Sequence, residues 1–167
     1  NLKRILAAND NLGKIERGEA VLVILGDAVH EEHPSRLGYM DSSVEIMQSI
    51  ISLKIKNPRN VYYILGNHDY LSPMFSKGGI AQGIVYEARL RELYGDEYVS
   101  KYKEFIAASP IMAIGDGFVA LHGGPIKEDV TLEEIKNVDV TKEELPRGRE
   151  PTIEEIRNVN IVHQAQW

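Results

Sequence analysis

Apolar residues run without interruption from Ala20 to Leu25 and from Val61 to Leu65, and each run stops at a glycine, Gly26 or Gly66. Runs of this length, bounded by Gly, Pro and Asn, predict short strands buried on both faces, as in a parallel sheet. The stretch between them opens with polar residues, Ala28 to Tyr39, including His30, Glu31, Glu32, His33, Pro34 and Arg36, and predicts a loop. Val44, Met47, Ile50, Ile51 and Ile55 then recur at helical spacing until Asn57-Pro58 stops the pattern. Asp41 or Ser42 is expected to cap that helix, with Glu45 completing a capping box on Ser42. Strand, helix and strand over residues 20–65 predict parallel pairing and a right-handed crossover.

Around this unit the pattern is mostly helical. Leu2, Ile5 and Leu6 predict an amphipathic helix from Asn1 to about Asn9, followed by a turn at Gly13 and Gly18. Tyr70 to Gly83 reads as loop, residues 84–94 and 97–108 as helix, and Pro110 as the stop. Ile111 to Ile114 and Phe118 to Leu121 flank Gly115-Asp116-Gly117, a hairpin signal, and the second run ends in His122-Gly123-Gly124-Pro125. Beyond Lys127 the chain turns acidic. Short helices are expected near Leu132 to Asn137 and near Ile153 to Asn158, with the basic loop 146–149 between them and a short tail from Asn160 to Trp167.

Composition changes this picture mainly by exclusion. The 167 residues show no internal repeat or linker and suit one domain over 1–167, and 43% hydrophobic residues are enough for a real core. With 19 basic and 25 acidic side chains the net charge is −6, so a nucleic-acid partner is not expected. An anionic ligand would need a local positive source, such as metal ions. The absence of cysteine excludes disulfides, thiolate metal sites and cysteine nucleophiles. No apolar stretch approaches the roughly 20 residues of a membrane span, and the default expectation is a cytoplasmic protein with no membrane partner. Nothing in the chain speaks to oligomeric state.

The chemistry lies at the ends of the apolar runs: Gly26-Asp27, Gly66-Asn67-His68-Asp69 and His122-Gly123-Gly124. The carboxyl ends of strands are where open α/β sheets bind ligands, and Gly lets backbone and ligand approach closely. Carboxylate, amide oxygen and imidazole nitrogen together suit a hard-to-intermediate divalent cation. Singly, each has a plainer reading: Gly-Asp as a turn, Asn67 as an Asx turn, His68 as a helix-start residue, His122 as a packed core histidine. Three such ends in one chain favour a common site.

In their order and spacing these segments resemble the second, third and fourth motifs of the calcineurin-like metallophosphoesterases, with the Ser/Thr phosphoprotein phosphatase branch nearest. Lys54 to Asn60 leading into the third motif, Ser109-Pro110-Ile111 leading to the fourth, and Trp167 as the opening of a later Trp-Ser-Asp-Pro motif resemble that branch too. The resemblance implies a layered α/β/β/α sandwich and a hydrolase that cleaves phosphomonoesters, on phospho-Ser/Thr or on small molecules. It implies two divalent metals, Mn, Fe or Zn, with Asp27 bridging them and Asn67 and His122 on the second. His68 would protonate the leaving oxygen. A metal pair lowers the pKa of a shared water and neutralises phosphoryl oxygens, which lets an acidic chain take an anionic ester.

The second motif departs from the family pattern, because His30 stands where an Asp would orient the catalytic histidine, and the phosphate-gripping Arg is missing. Glu31, His33 or Asp69 is the expected replacement for orientation, and Arg36, Lys77, Arg89 or Arg91 for phosphate contact. Gly78-Gly79 and Gly83 are weak candidates for a phosphate cradle. The first motif is expected before Asn1 and further histidine ligands after Trp167, so the resemblance implies a domain truncated at both ends. His163 is expected to be structural. A competing reading follows from His30: a binding or regulatory module of the same fold with impaired catalysis.

Overall fold

The computed structural model describes residues 1–73, 76–127 and 129–167. Met74 and Phe75, within the expected loop, and Glu128, at the start of the acidic stretch, lie outside the described residues. The expected strand, helix and strand unit is present as β1 (Leu22–Ile24), α3 (Asp41–Lys56) and β2 (Val61–Tyr63), preceded by α1 (Leu2–Ala7) and α2 (Asn11–Glu16). β1 and β2 pair in parallel, with Leu22 opposite Val61 and Ile24 opposite Tyr63. The class is α/β, and the strands of the described residues form three separate pairs.

Burial on both faces, expected of the two strands, holds better for one than for the other. Val61, Tyr63, Ile64 and Leu65 are buried, whereas Tyr62 reaches the surface beneath the Lys54 ammonium, 4.6 Å from its ring centroid. β1 is only half-buried, and Val21 and Leu25 beside it are exposed, because β2 is its one strand partner among the described residues. On α3 the apolar stripe places Val44, Met47 and Ile50 in the core, while Ile55, the residue before the last, is 73% exposed. The expected capping box does not form. Met40, in the left-handed region, precedes α3, and the Ser42 hydroxyl donates to the Glu31 carboxylate instead.

The expected loop after β2 contains a small hairpin, β3 (Ser76–Lys77) and β4 (Ile80–Ala81), turned by Gly78 and Gly79 with φ of +58° and +78°. Two central residues with positive φ define the type I′ turn that suits hairpin twist, so this glycine pair makes a turn. The helical stretch α4 (Gln82–Ala108) follows, broken at Gly95 (φ +82°) where the sequence pattern breaks. β5 (Met112–Gly115) and β6 (Phe118–Leu121) form the expected hairpin across Asp116-Gly117. α5 (Leu132–Lys136) and α6 (Ile153–Gln166) both start at capping boxes, Thr131 with Glu134 and Thr152 with Glu155. α6 takes in most of the expected tail, because Val159, Val162 and Ala165 continue one buried stripe.

The core lies between α3, α4 and β2, with Met40, Met47, Ile50, Tyr63, Leu65, Tyr86, Leu90 and Tyr102 at its centre. No helix of the described residues is long and apolar enough to cross a membrane.

Candidate metal centre

The ends of β1 and β2 are pressed together by two glycines. A side chain at Gly26 would run into the Gly66 backbone, and one at Gly66 would meet the Asp27 carboxylate. Gly26 and Asp27 both have positive φ, +81° and +56°. For Asp27 this left-handed conformation is uncommon and must be held by its surroundings.

Asp69 supplies that hold. Its carboxylate is fully buried and accepts from the backbone N–H of Asp27 (3.0 Å), Val29 (3.4 Å) and Gly66 (2.8 Å) and from the Tyr63 hydroxyl (2.7 Å). The same hydroxyl accepts from Ala28 N–H at 3.1 Å, so Tyr63 and Asp69 together bracket the two loops. Burial pushes the Asp69 carboxyl up to about 6, against the hydrogen bonds from Tyr63 and Gly66 that favour its anion. Asp69, expected among the catalytic residues, thus faces backbone donors.

Asp27 itself divides its two oxygens. Oδ1 accepts from His68 N–H at 3.1 Å, and Oδ2 lies 3.5 Å from His30 Nδ1 and 3.5 Å from His122 Nε2. His122 arrives from the far end of β6, where Nδ1 contacts the Leu25 carbonyl. Behind it a side chain at Gly123 would collide with the Trp167 backbone, and Gly123 N–H donates to Ala165 O at 2.8 Å, so the end of α6 supports this turn. The His30 and His68 rings stack at 4.4 Å with planes 27° apart. Burial depresses the His68 imidazole below its ordinary value; Asp27 opposes the shift, and His30, Lys77 and His122 add to it.

These contacts test whether a cation suits the residues. A carbonyl can only accept, so His122 Nδ1 carries a proton toward Leu25 O, and Nε2 faces the Asp27 carboxylate at 3.5 Å. An imidazole nitrogen and a carboxylate oxygen at 3.5 Å are drawn together by positive charge between them, which a proton on Nε2 or a metal ion supplies, and both groups are ligand types that fit a divalent cation. Asp27, His30 and His68 each offer a ligand atom within 4.8 Å of the others, a second grouping around the same carboxylate. At His30, however, Lys77 Nζ donates to Nε2 at 3.1 Å, which leaves Nδ1 to carry its proton toward Asp27. Asn67 is buried between Gly66 and His68.

The remaining expected residues divide cleanly. Glu31 is buried on Ser42 and His33 N–H, His33 contacts Ser35, and His163 Nε2 contacts the Glu143 carbonyl, so none of the three joins the cluster. Arg36 pairs with Glu31, Arg89 with Asp41 and Glu92, and Arg91 with Glu87 and Asp96; of the four cations weighed, Lys77 alone reaches the histidines. Sequence reasoning missed Tyr63, whose place in an apolar run hides the use of its hydroxyl, and Gln82, which carried no signal.

The sequence profile of the calcineurin-like phosphoesterases matches residues 1–166. The chain belongs to the calcineurin-like phosphoesterase family. No solved structure matches it. Membership places the chain among metal-dependent phosphoesterases, hydrolases whose members act on phosphoesters through divalent metals. The mixed α/β architecture agrees with that fold.

Proposed function

We propose that this calcineurin-like phosphoesterase hydrolyses phosphomonoesters at the Asp27 cluster, using two divalent cations such as Mn, Fe or Zn. The observation that carries the reading is the convergence of His122 Nε2 and His30 Nδ1 on Asp27 Oδ2, each at 3.5 Å. Asp27, Asn67 and His122 would hold the metals in this reading. A divalent cation, when bound, supplies Lewis-acid polarisation of phosphoryl oxygens and acidifies water. His68, held by its backbone to Asp27 and by its ring to His30, donates the proton to the leaving oxygen. The negative charge of a phosphoester beside His68 opposes the depression that burial imposes on its imidazole. His30 and Asp69 are positioning residues, the first through stacking and the second through backbone.

Both phosphoprotein Ser/Thr esters and small phosphomonoesters are candidate substrates. The test is calorimetric titration with Mn²⁺ beside release of phosphate from an aryl phosphate. Asp27→Asn and His122→Ala are expected to abolish metal binding, and unchanged binding would remove the site assignment. His68→Ala is expected to lower turnover by roughly a hundredfold or more while leaving metal affinity within about threefold, as loss of general acid catalysis requires. Equal losses of both would exclude His68 as the proton donor. The competing reading, a binding module with impaired catalysis, draws on His30, which turns an N–H to Asp27 and offers His68 no carboxylate. It requires metal binding with no turnover on any phosphomonoester.

A further inference from the structure

The loop that carries His30 is pinned to the hairpin that carries Lys77. Gln82, wholly buried at the start of α4, accepts from Glu31 N–H at 3.2 Å and donates to Glu31 O at 2.7 Å. The pair works like one rung of a sheet between segments 51 residues apart. β4 leads directly into Gln82, and the two-residue Gly78-Gly79 turn joins it to β3, with Lys77 opposite Ile80. Lys77 therefore stands at the mouth of a tight turn whose far strand is anchored beside the His30 loop. Its ammonium lies 3.1 Å from His30 Nε2 and 2.8 Å from Glu32 Oε1.

The imidazole of His30 thus has a cation on one side and the Asp27 carboxylate on the other, while its face covers His68. In a chain of net charge −6, an anionic ligand arriving at Asp27 needs positive charge close by. Arg36, Arg89 and Arg91 are engaged by carboxylates elsewhere. Lys77 also has a carboxylate partner, but Glu32 is 77% exposed, and ion pairs with so solvated a member are weak and readily exchanged. An ammonium on a four-carbon stem can exchange Glu32 for another oxygen acceptor without moving the hairpin.

Resting on the phosphoesterase reading above, we propose that Lys77 is the substrate-gripping cation of this site, exchanging Glu32 for a phosphoryl oxygen when a phosphoester binds. Lys77 then sets affinity for the phosphoryl group, and Glu32 competes with that group for the ammonium.

The experiment is calorimetric binding of inorganic phosphate to the Mn²⁺-loaded full chain, with Mn²⁺ affinity measured in parallel. Lys77→Ala is expected to weaken phosphate about tenfold, the loss of one charge-assisted hydrogen bond, and to leave Mn²⁺ affinity unchanged. Lys77→Arg is expected to retain most of the phosphate affinity, and Glu32→Gln to raise it severalfold by releasing the ammonium. Phosphate bound equally by the parent and Lys77→Ala overturns the role of Lys77 and leaves the phosphoesterase reading standing. A parallel fall in Mn²⁺ affinity overturns it as well, because Lys77 would then act on the metal centre. A metal-loaded parent that binds no phosphate overturns the phosphoesterase reading, and this proposal with it.

Discussion

Asp69, just after β2, is a fully buried carboxylate and Glu143, between α5 and α6, a half-buried one, yet among the described residues the first accepts four hydrogen bonds and the second leaves Oε2 without a hydrogen-bond partner. Burial raises both, to about 6 and about 7. Around Asp69 the buried charge is used: three backbone amides and a phenol converge on it, and the strained Gly26-Asp27 turn is fixed as a result. Around the Glu143 side chain no such set of donors gathers among the described residues. A buried carboxylate is therefore no mark of a site by itself; its partners distinguish an organising centre from an unrelieved cost.

Removing the organising carboxylate is the largest way to break this contrast. Asp69→Ala strands the amides of Asp27, Val29 and Gly66 and the Tyr63 hydroxyl in a dry interior. Each orphaned buried donor costs about 1 to 3 kcal/mol, and allowing for relaxation the variant is expected to lose at least about 3 kcal/mol in urea unfolding. Metal binding is expected to go with it, since Asp27 loses its conformation. A loss under about 1 kcal/mol would show that the turn holds itself. Tyr63→Phe takes out one arm of the bracket, the hydroxyl shared between Asp69 and Ala28 N–H. About 1 to 2 kcal/mol is expected, with metal affinity lowered and not lost. A neutral substitution would assign the bracket to the backbone amides alone.

The same contrast explains what could be read from the sequence. The three polar strand ends were legible because a hydrophobic run stopped by glycine is a local signal, and the kink at Gly95 and the Asp116-Gly117 hairpin were legible for the same reason. What organises the site is not local. Asp69 reaches Asp27 across 42 residues, Ala28 reaches Tyr63 across 35, and Glu31 reaches Gln82 across 51, so no window of sequence holds both partners. Family resemblance supplied Asp27, Asn67 and His122, whereas Lys77 became distinct from Arg36, Arg89 and Arg91 only when their ion pairs were in view. Two signals were present and passed over: Gly78-Gly79 as a turn, which lacked flanking hydrophobic runs, and the Thr131 and Thr152 capping boxes. The burial expected of β1 erred for another reason, since an apolar run reports the capacity to be covered and not the presence of a cover.

The smallest expected effect sharpens the comparison from the other side. Glu143 lines a cavity of about 330 Å³ with Tyr70, Leu71, Lys103, Ile106 and Thr141, and Lys103, the cation in that wall, is drawn away to Glu87 at 3.1 Å. Burial raises the Glu143 carboxyl to about 7, and the neighbouring Glu144 adds to the shift. The folded chain thus holds a proton on Glu143 at pH values where the unfolded chain, with an ordinary carboxyl near 4.5, has released it. Stability must then fall as pH rises from about 4.5 to about 7, and this contribution must be flat on either side. Glu143→Gln keeps the shape, removes the ionisation, and is expected to be more stable than the parent above pH 7, by only about 1 kcal/mol because the group keeps contact with solvent. At pH 4.5 the two should unfold at nearly the same urea concentration. The measurement is the difference between their unfolding midpoints from pH 4.5 to pH 8: a difference that grows with pH marks Glu143 as an unrelieved buried charge, and a constant one means that Glu143 ionises in the folded chain as readily as in the unfolded one.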